Sequence, residues 1–209
     1  DRGAAMAFLY DNLVATLIAT TVVLVLISVQ MRATSANVAQ VGRSGALGGA
    51  ESFATWVEQD LEAMGRHISV SETVFSSPVR QSDSHSPTGE ALESLTFYYR
   101  TDEGSPKTTI PYEVTEVDTQ TIGSEKRTLY QLSRSKNGTD VGGSPVRLGY
   151  FDVRCLDRTA GVVTNPAANR SKIEALRAHF SVVSPTQNDE TKLQEVHRMV
   201  VVPYTPAHD

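Results

Sequence analysis

The sequence predicts an α+β protein: a long apolar N-terminal helix, broken by a glycine-rich segment, then a helix packed on an antiparallel sheet. Three observations carry this prediction. From Leu13 to Met31 there is no Lys, Arg, Asp, Glu, Gly or Pro. Between residues 51 and 68, Phe53, Trp56, Val57, Leu61, Met64 and Ile68 recur at helical spacing. After residue 90 the apolar residues alternate with polar ones, in runs divided by turn-rich separators, as in hairpin-linked strands.

The apolar run comes first. At 1.5 Å per residue, Leu13–Met31 spans roughly 30 Å, the thickness of a bilayer core. A soluble core helix is rarely apolar on every face. A secretory signal has a shorter apolar region and a small-residue cleavage site after it. Here "SVQMRATSANVAQ" follows and reads as more helix. Two uses fit: a single-pass anchor whose Thr16, Thr20 and Thr21 bond their own backbone, or a helix that packs against copies of itself. Ala15 and Ala19, four apart, give a small-xxx-small spacing that permits close helix approach. Asp11 lies just ahead of the run. A carboxylate in hydrocarbon costs roughly 2–3 kcal/mol at full depth. Asp11 therefore reads as a helix cap or as one half of an ion pair.

The next element is "GRSGALGGA", with Gly42, Gly45, Gly48 and Gly49. Each glycine costs about 1 kcal/mol in a helix interior, which predicts a break over 42–50. The chain then divides into an N-terminal helix (1–41), the break (42–50) and a head (51–209). Trp56, Leu61 and Met64 are expected in the head's core, with Phe97, Phe151, Cys155 and Phe180 from the strands. Residues 71–90, rich in Ser and Pro, read as loop. Strands are expected in "LTFYYR", "TTIPYEVTEV", "KRTLYQLSR", "PVRLGYFDVRCLD", "KIEALRAHFSVV" and "EVHRMVVVPY". Pro111 predicts an edge or a bulge, because proline has no N–H for a ladder. The separators are "TDEGSPK", "DTQTIGSE", "KNGTDVGG", "CLDRTAGVVTNPAANRSK" and "SPTQNDETK".

Composition narrows the function. Net charge is −5 and no long Lys/Arg cluster is present, so nucleic acid is not an expected partner. One cysteine allows no intramolecular disulfide, and five scattered histidines lack metal-ligand spacing. "SDSHS" holds Ser, Asp and His, but neighbours in sequence point apart and no oxyanion device accompanies them. No phosphate-binding loop is present. No catalytic residue, metal or cofactor is expected, and the chain does not read as an enzyme. The sequons "NGT" at Asn137 and "NRS" at Asn169 fit glycosylation of an exposed surface, or chance.

"DNLVATLIATTVVLVL" resembles the N-terminal helix of type IV pilins and of the pseudopilins of type II secretion. In that resemblance Asp11 matches the family's acidic residue, and Leu13, Val14 and Ala15 match the apolar run after it. The strand order is similar to that of larger minor pilins and J-type pseudopilins, through "YFDVRCLD", "KIEALRAHFSVV" and "HRMVVVPY". The resemblance implies that Asp11 pairs with the N-terminal amine of a neighbouring subunit. In the family's register the mature chain would begin at Ala7, and processing follows a glycine, of which Gly3 is the nearest. Pairing with Arg2 of a neighbour is the alternative. Leu17, Ile18, Ala19, Val22 and Leu24 would pack among identical copies. The glycine segment would let the head adjust, and the helix over 51–68 would lie across the sheet. The implied function is that of a structural subunit of an extracellular type IV pilus-like filament. Its partners would be identical copies, the inner membrane before assembly, and a pilus or secretion assembly machinery. A minor pseudopilin, or a single-pass anchored extracytoplasmic binding module, is the alternative.

Overall fold

Glycines weaken helices, yet helix α1 runs unbroken over Arg2–Ala63, through all four of Gly42, Gly45, Gly48 and Gly49. This is seen in a computed structural model that describes residues 2–69, 72–122, 125–184 and 195–204. The expected break at 42–50 is therefore absent. The reason lies in what that stretch packs against. Ala46 and Ala50 are buried, and Gly49 sits so close to the head that an added Cβ would lie 2.5 Å from Cγ1 of Val146. Small side chains at these positions let the helix backbone approach the head, and the burial offsets the propensity cost.

The glycines are consequently unequal. Nothing lies within 4 Å of a Cβ built on Gly48. Gly48→Ala is expected to stabilise the protein by about 0.5–1 kcal/mol. Gly49→Ala must displace Val146 and is expected to cost about 1–3 kcal/mol. Thermal melts of the two variants in the same detergent check this; shifts of the same sign and size would refute the close packing at Gly49.

The chain divides into two units, residues 1–41 and 42–209. In the second unit α1 presents Phe53, Val57 and Leu61 at intervals of four, all buried. The helix stops at Ala63, five residues before the expected end. Gly65 takes φ = 77° there, and its N–H donates to the Tyr98 carbonyl at 2.9 Å. A side chain at this position would also meet Tyr204 and Val74 at 2.9 Å.

Among the described residues eight strands follow: β1 (Val79–Ser82), β2 (Glu90–Tyr99), β3 (Thr108–Ile122), β4 (Glu125–Lys136), β5 (Thr139–Gly143), β6 (Arg147–Leu156), β7 (Ala175–Val183) and β8 (Glu195–Pro203). All pairings are antiparallel. The spatial order is β1-β2-β3-β4-β6-β7-β8, with β5 paired to β4 beside that path. Each strand except β6 thus neighbours the one before it, as hairpin connections require, and β6 passes over β5 to pair with β4. "KIEALRAHFSVV" is a strand, β7, from Ala175 onward.

Several local expectations are corrected. The loop over 71–90 contains β1. "DTQTIGSE" is mostly strand, since β3 runs to Ile122 and β4 starts at Glu125. "KNGTDVGG" contains β5, which folds back on β4 about a two-residue turn, Asn137-Gly138. Both turn residues have positive φ (52° and 82°), the conformation that Asn-Gly favours in tight hairpins. Pro111 lies in an interior strand and not at an edge or bulge; the β3 irregularity falls between Glu116 and Asp118. Pro111 is tolerated because the β3–β4 ladder begins one residue later, with Tyr112 opposite Arg134. Most of "SPTQNDETK" lies outside the described residues.

The core is an aromatic cluster between α1 and the sheet. Phe53 meets Phe180 edge-on at 4.7 Å and Phe151 at 5.9 Å, a favourable ring geometry. Leu61, Met64, Phe97, Phe151, Cys155 and Phe180 are buried, whereas Trp56 is half-buried at the rim. Burial pushes the Cys155 thiol up to about 12, with Arg80 opposing the shift. That thiol therefore stays protonated and unreactive.

Candidate assembly helix

The N-terminal unit has a simple chemistry. Every residue from Tyr10 to Met31 is exposed, including Leu13, Val14, Leu17, Ile18, Val22 and Leu24. Leu17 keeps 63% and Leu24 62% of its surface open. Soluble proteins rarely leave a contiguous apolar surface of this kind uncovered. By length and composition α1 can cross a membrane.

The polar groups within this stretch are largely self-contained. Thr16 donates to the Asn12 carbonyl at 2.7 Å, Thr20 to Thr16 at 2.7 Å and Thr21 to Leu17 at 2.8 Å. Each hydroxyl has thereby found an acceptor four residues back. The helix can lose water around these threonines without leaving a donor unpaired. Ala15, Thr16, Ala19, Thr20 and Val23 line one shallow stripe. Small side chains there leave the backbone approachable by another helix. Asp11 is exposed on the first turns of the described apolar segment, and among the described residues it has no ion-pair partner. It is a carboxylate at the margin of a surface that requires cover.

The expected assembly residues therefore share one uncovered segment. The expected helix-break residues do not act as a break. Gly45 and Gly48 are exposed, Gly42 and Gly49 half-buried.

The architecture is pilin-like: a long apolar N-terminal helix whose second half packs on an antiparallel sheet. Comparison with protein-family models, with curated proteins and with solved structures finds no match. An exposed apolar helix of this length serves as a membrane anchor or as a signal segment.

The head's polar clusters hold the fold together. Asp60, on α1, accepts the buried Tyr112 hydroxyl at 2.6 Å and the Arg134 guanidinium at 2.6 Å. Burial, then the Asp60 charge, holds the Tyr112 pKa well above its ordinary value, so the phenol remains a donor. Arg134 also lies 4.8 Å over the Trp56 ring. One carboxylate thus ties the helix to β3 and β4. The sequence signals this only weakly, through an Asp that borders the Phe53–Val57–Leu61 face.

Phe151 faces the helix, so its neighbours Tyr150 and Asp152 alternate to the other face. There Asp152 accepts from both Arg80 and Arg154. The Tyr150 hydroxyl lies 3.0 Å from His179 Nε2 and 3.2 Å from His197 Nδ1. Burial is the main cause of a lowered His179 pKa.

Arg170, missed from sequence, donates to the carbonyls of Ser69 at 2.7 Å and Ile68 at 3.0 Å, and to the Tyr204 hydroxyl at 2.8 Å. It satisfies backbone acceptors just after the helix. The "SDSHS" residues make a turn: Asp83 accepts the His85 backbone N–H at 2.9 Å. Among the described residues no three His, Cys, Asp or Glu side chains gather into a metal-binding group.

Proposed function

We propose that this chain is a structural subunit of an extracellular type IV pilus-like filament. Its apolar helix would anchor it in the inner membrane first, and an assembly machinery would then draw it into a bundle of identical helices. The observation that carries this reading is the uncovered segment Tyr10–Met31, with the small-residue stripe at Ala15 and Ala19 and a carboxylate at Asp11 that has no ion-pair partner among the described residues. An anchor needs only the apolar surface. The small stripe and the acid at Asp11 gain a use when the neighbour is another helix with a cationic group near its start. Lipid and protein are comparably apolar, so packing and pairing would decide assembly more than the hydrophobic effect. The protein's role in this reading is mechanical and involves no catalytic step.

The test is electron microscopy of fibres sheared from cells, with mass spectrometry of their main component. This chain as the principal component would support the proposal. Its presence only as a trace component would favour a minor pseudopilin. Detergent-soluble monomers with no fibre in any preparation would favour an anchored binding module and overturn the filament reading.

A further inference from the structure

The two sequons are in opposite structural states. Asn137 is exposed at the tip of the β4–β5 hairpin, and open space surrounds its turn partner Gly138. Its backbone N–H donates to the Thr109 carbonyl at 2.9 Å, and its Oδ1 accepts the Thr109 N–H at 2.8 Å. These two bonds fix the side chain through its carbonyl end. They leave the amide Nδ2 unused by any described residue. Thr139, the third residue of the sequon, is also exposed.

Asn169 is half-buried and uses its amide the other way round. Its Nδ2 donates to the Thr164 carbonyl at 2.9 Å and to the Asn165 carbonyl at 3.2 Å. Both amide hydrogens are engaged inside the 164–169 turn.

Glycosylation exchanges one Nδ2 hydrogen for a sugar and keeps the carbonyl oxygen and one N–H. At Asn137 the Thr109 bond survives that exchange, and the sugar extends into solvent. At Asn169 the exchange removes a donor from a closed turn and sets a sugar against a backbone carbonyl. One of the two turn-closing bonds would be lost and a steric conflict would follow.

We propose that Asn137, and not Asn169, is an N-glycosylation site. The co-reactant is a lipid-diphosphate-linked oligosaccharide presented by a transferase. Nδ2 attacks the anomeric carbon, and a C–N bond forms as the C–O bond to the diphosphate breaks. The lipid diphosphate leaves with the electron pair, and the Nδ2 proton passes to a base of the transferase. The inference rests on the extracytoplasmic placement of the head under the proposed function. A glycan at the β4–β5 tip would cover a turn with little side-chain bulk of its own.

The test is intact-mass and glycopeptide mass spectrometry of the full chain from its native source, with protease accessibility on intact cells or spheroplasts locating the head. The expected result is a mass above that of the polypeptide, with all added sugar on the peptide containing Asn137. Thr139→Ala should abolish it while leaving Asn137 and its Thr109 bonds in place. Asn169→Gln should leave it unchanged. An unmodified Asn137 on a head found outside the cytoplasm overturns the site proposal alone. Sugar on Asn169 also overturns it. A head found inside the cytoplasm overturns both this proposal and the reading beneath it.

Discussion

Phe53→Ala is expected to destabilise the head by about 3–5 kcal/mol, the range for truncating a buried phenylalanine. Phe53 has no exposed surface, and it is the helix residue that meets both Phe151 and Phe180. Its removal withdraws the ring's apolar area from the core. It also leaves a cavity between α1 and two neighbouring strands that cannot collapse without shifting the helix. For a unit of this size the melting temperature should fall by roughly 6–20 °C. Denaturant unfolding of the full chain in detergent measures the effect directly. A loss under about 1 kcal/mol would mean that Phe53 is not the keystone of the core. Phe53→Leu should cost far less, since it keeps most of the apolar volume.

Asp11→Ala is the second change expected to have a large effect, and it acts on assembly alone. The apolar run is untouched, so membrane insertion should be normal or improved. Filament formation should fail if Asp11 pairs with a cation of a neighbouring copy. Removing one partner of a buried, hydrogen-bonded charge pair costs about 2–5 kcal/mol, or at least ~30-fold in association. Asp11→Glu should retain part of the yield. The comparison is of sheared filament against membrane-fraction protein. Undiminished filament from Asp11→Ala would remove the pairing role. Loss from both fractions would show that the residue serves insertion or folding.

Much of this fold could be read from residue order. The apolar run is legible because nineteen residues without a charge or a helix breaker have few other uses. The Phe53–Leu61 face and the alternation in β2 and the first half of β7 are legible because burial on one side imposes a period. What is not legible depends on distant partners. The glycine propensity cost is a local quantity, whereas the gain at Ala46, Gly49 and Ala50 comes from Val146 and the surface around it. Strand β1 is four residues long and hidden among Ser and Pro; pairing with β2 defines it, not its own composition. The interior place of Pro111 is not legible because the position of a ladder's first bond cannot be seen from one strand.

The candidate assembly segment was legible in type and position but not in its details. That Thr16, Thr20 and Thr21 close their own hydroxyls follows from helical geometry, which brings each to a carbonyl four residues earlier. The ties through Asp60 and Arg170 each join residues far apart in sequence. Nothing in their local sequence marks them, because a charged side chain on a helix flank or a turn is ordinarily solvated.

The buried thiol has a practical corollary for spectroscopy. Cys155 is the chain's one cysteine, and it is shielded behind the helix with its proton firmly held. Thiol-directed dyes or spin labels should pass it by while the head stays folded. An added cysteine on the exposed 101–104 loop, Glu103→Cys for instance, would then carry a single reporter without any cysteine-free background being prepared. Fluorescence transfer between two such labelled copies could follow their association in real time.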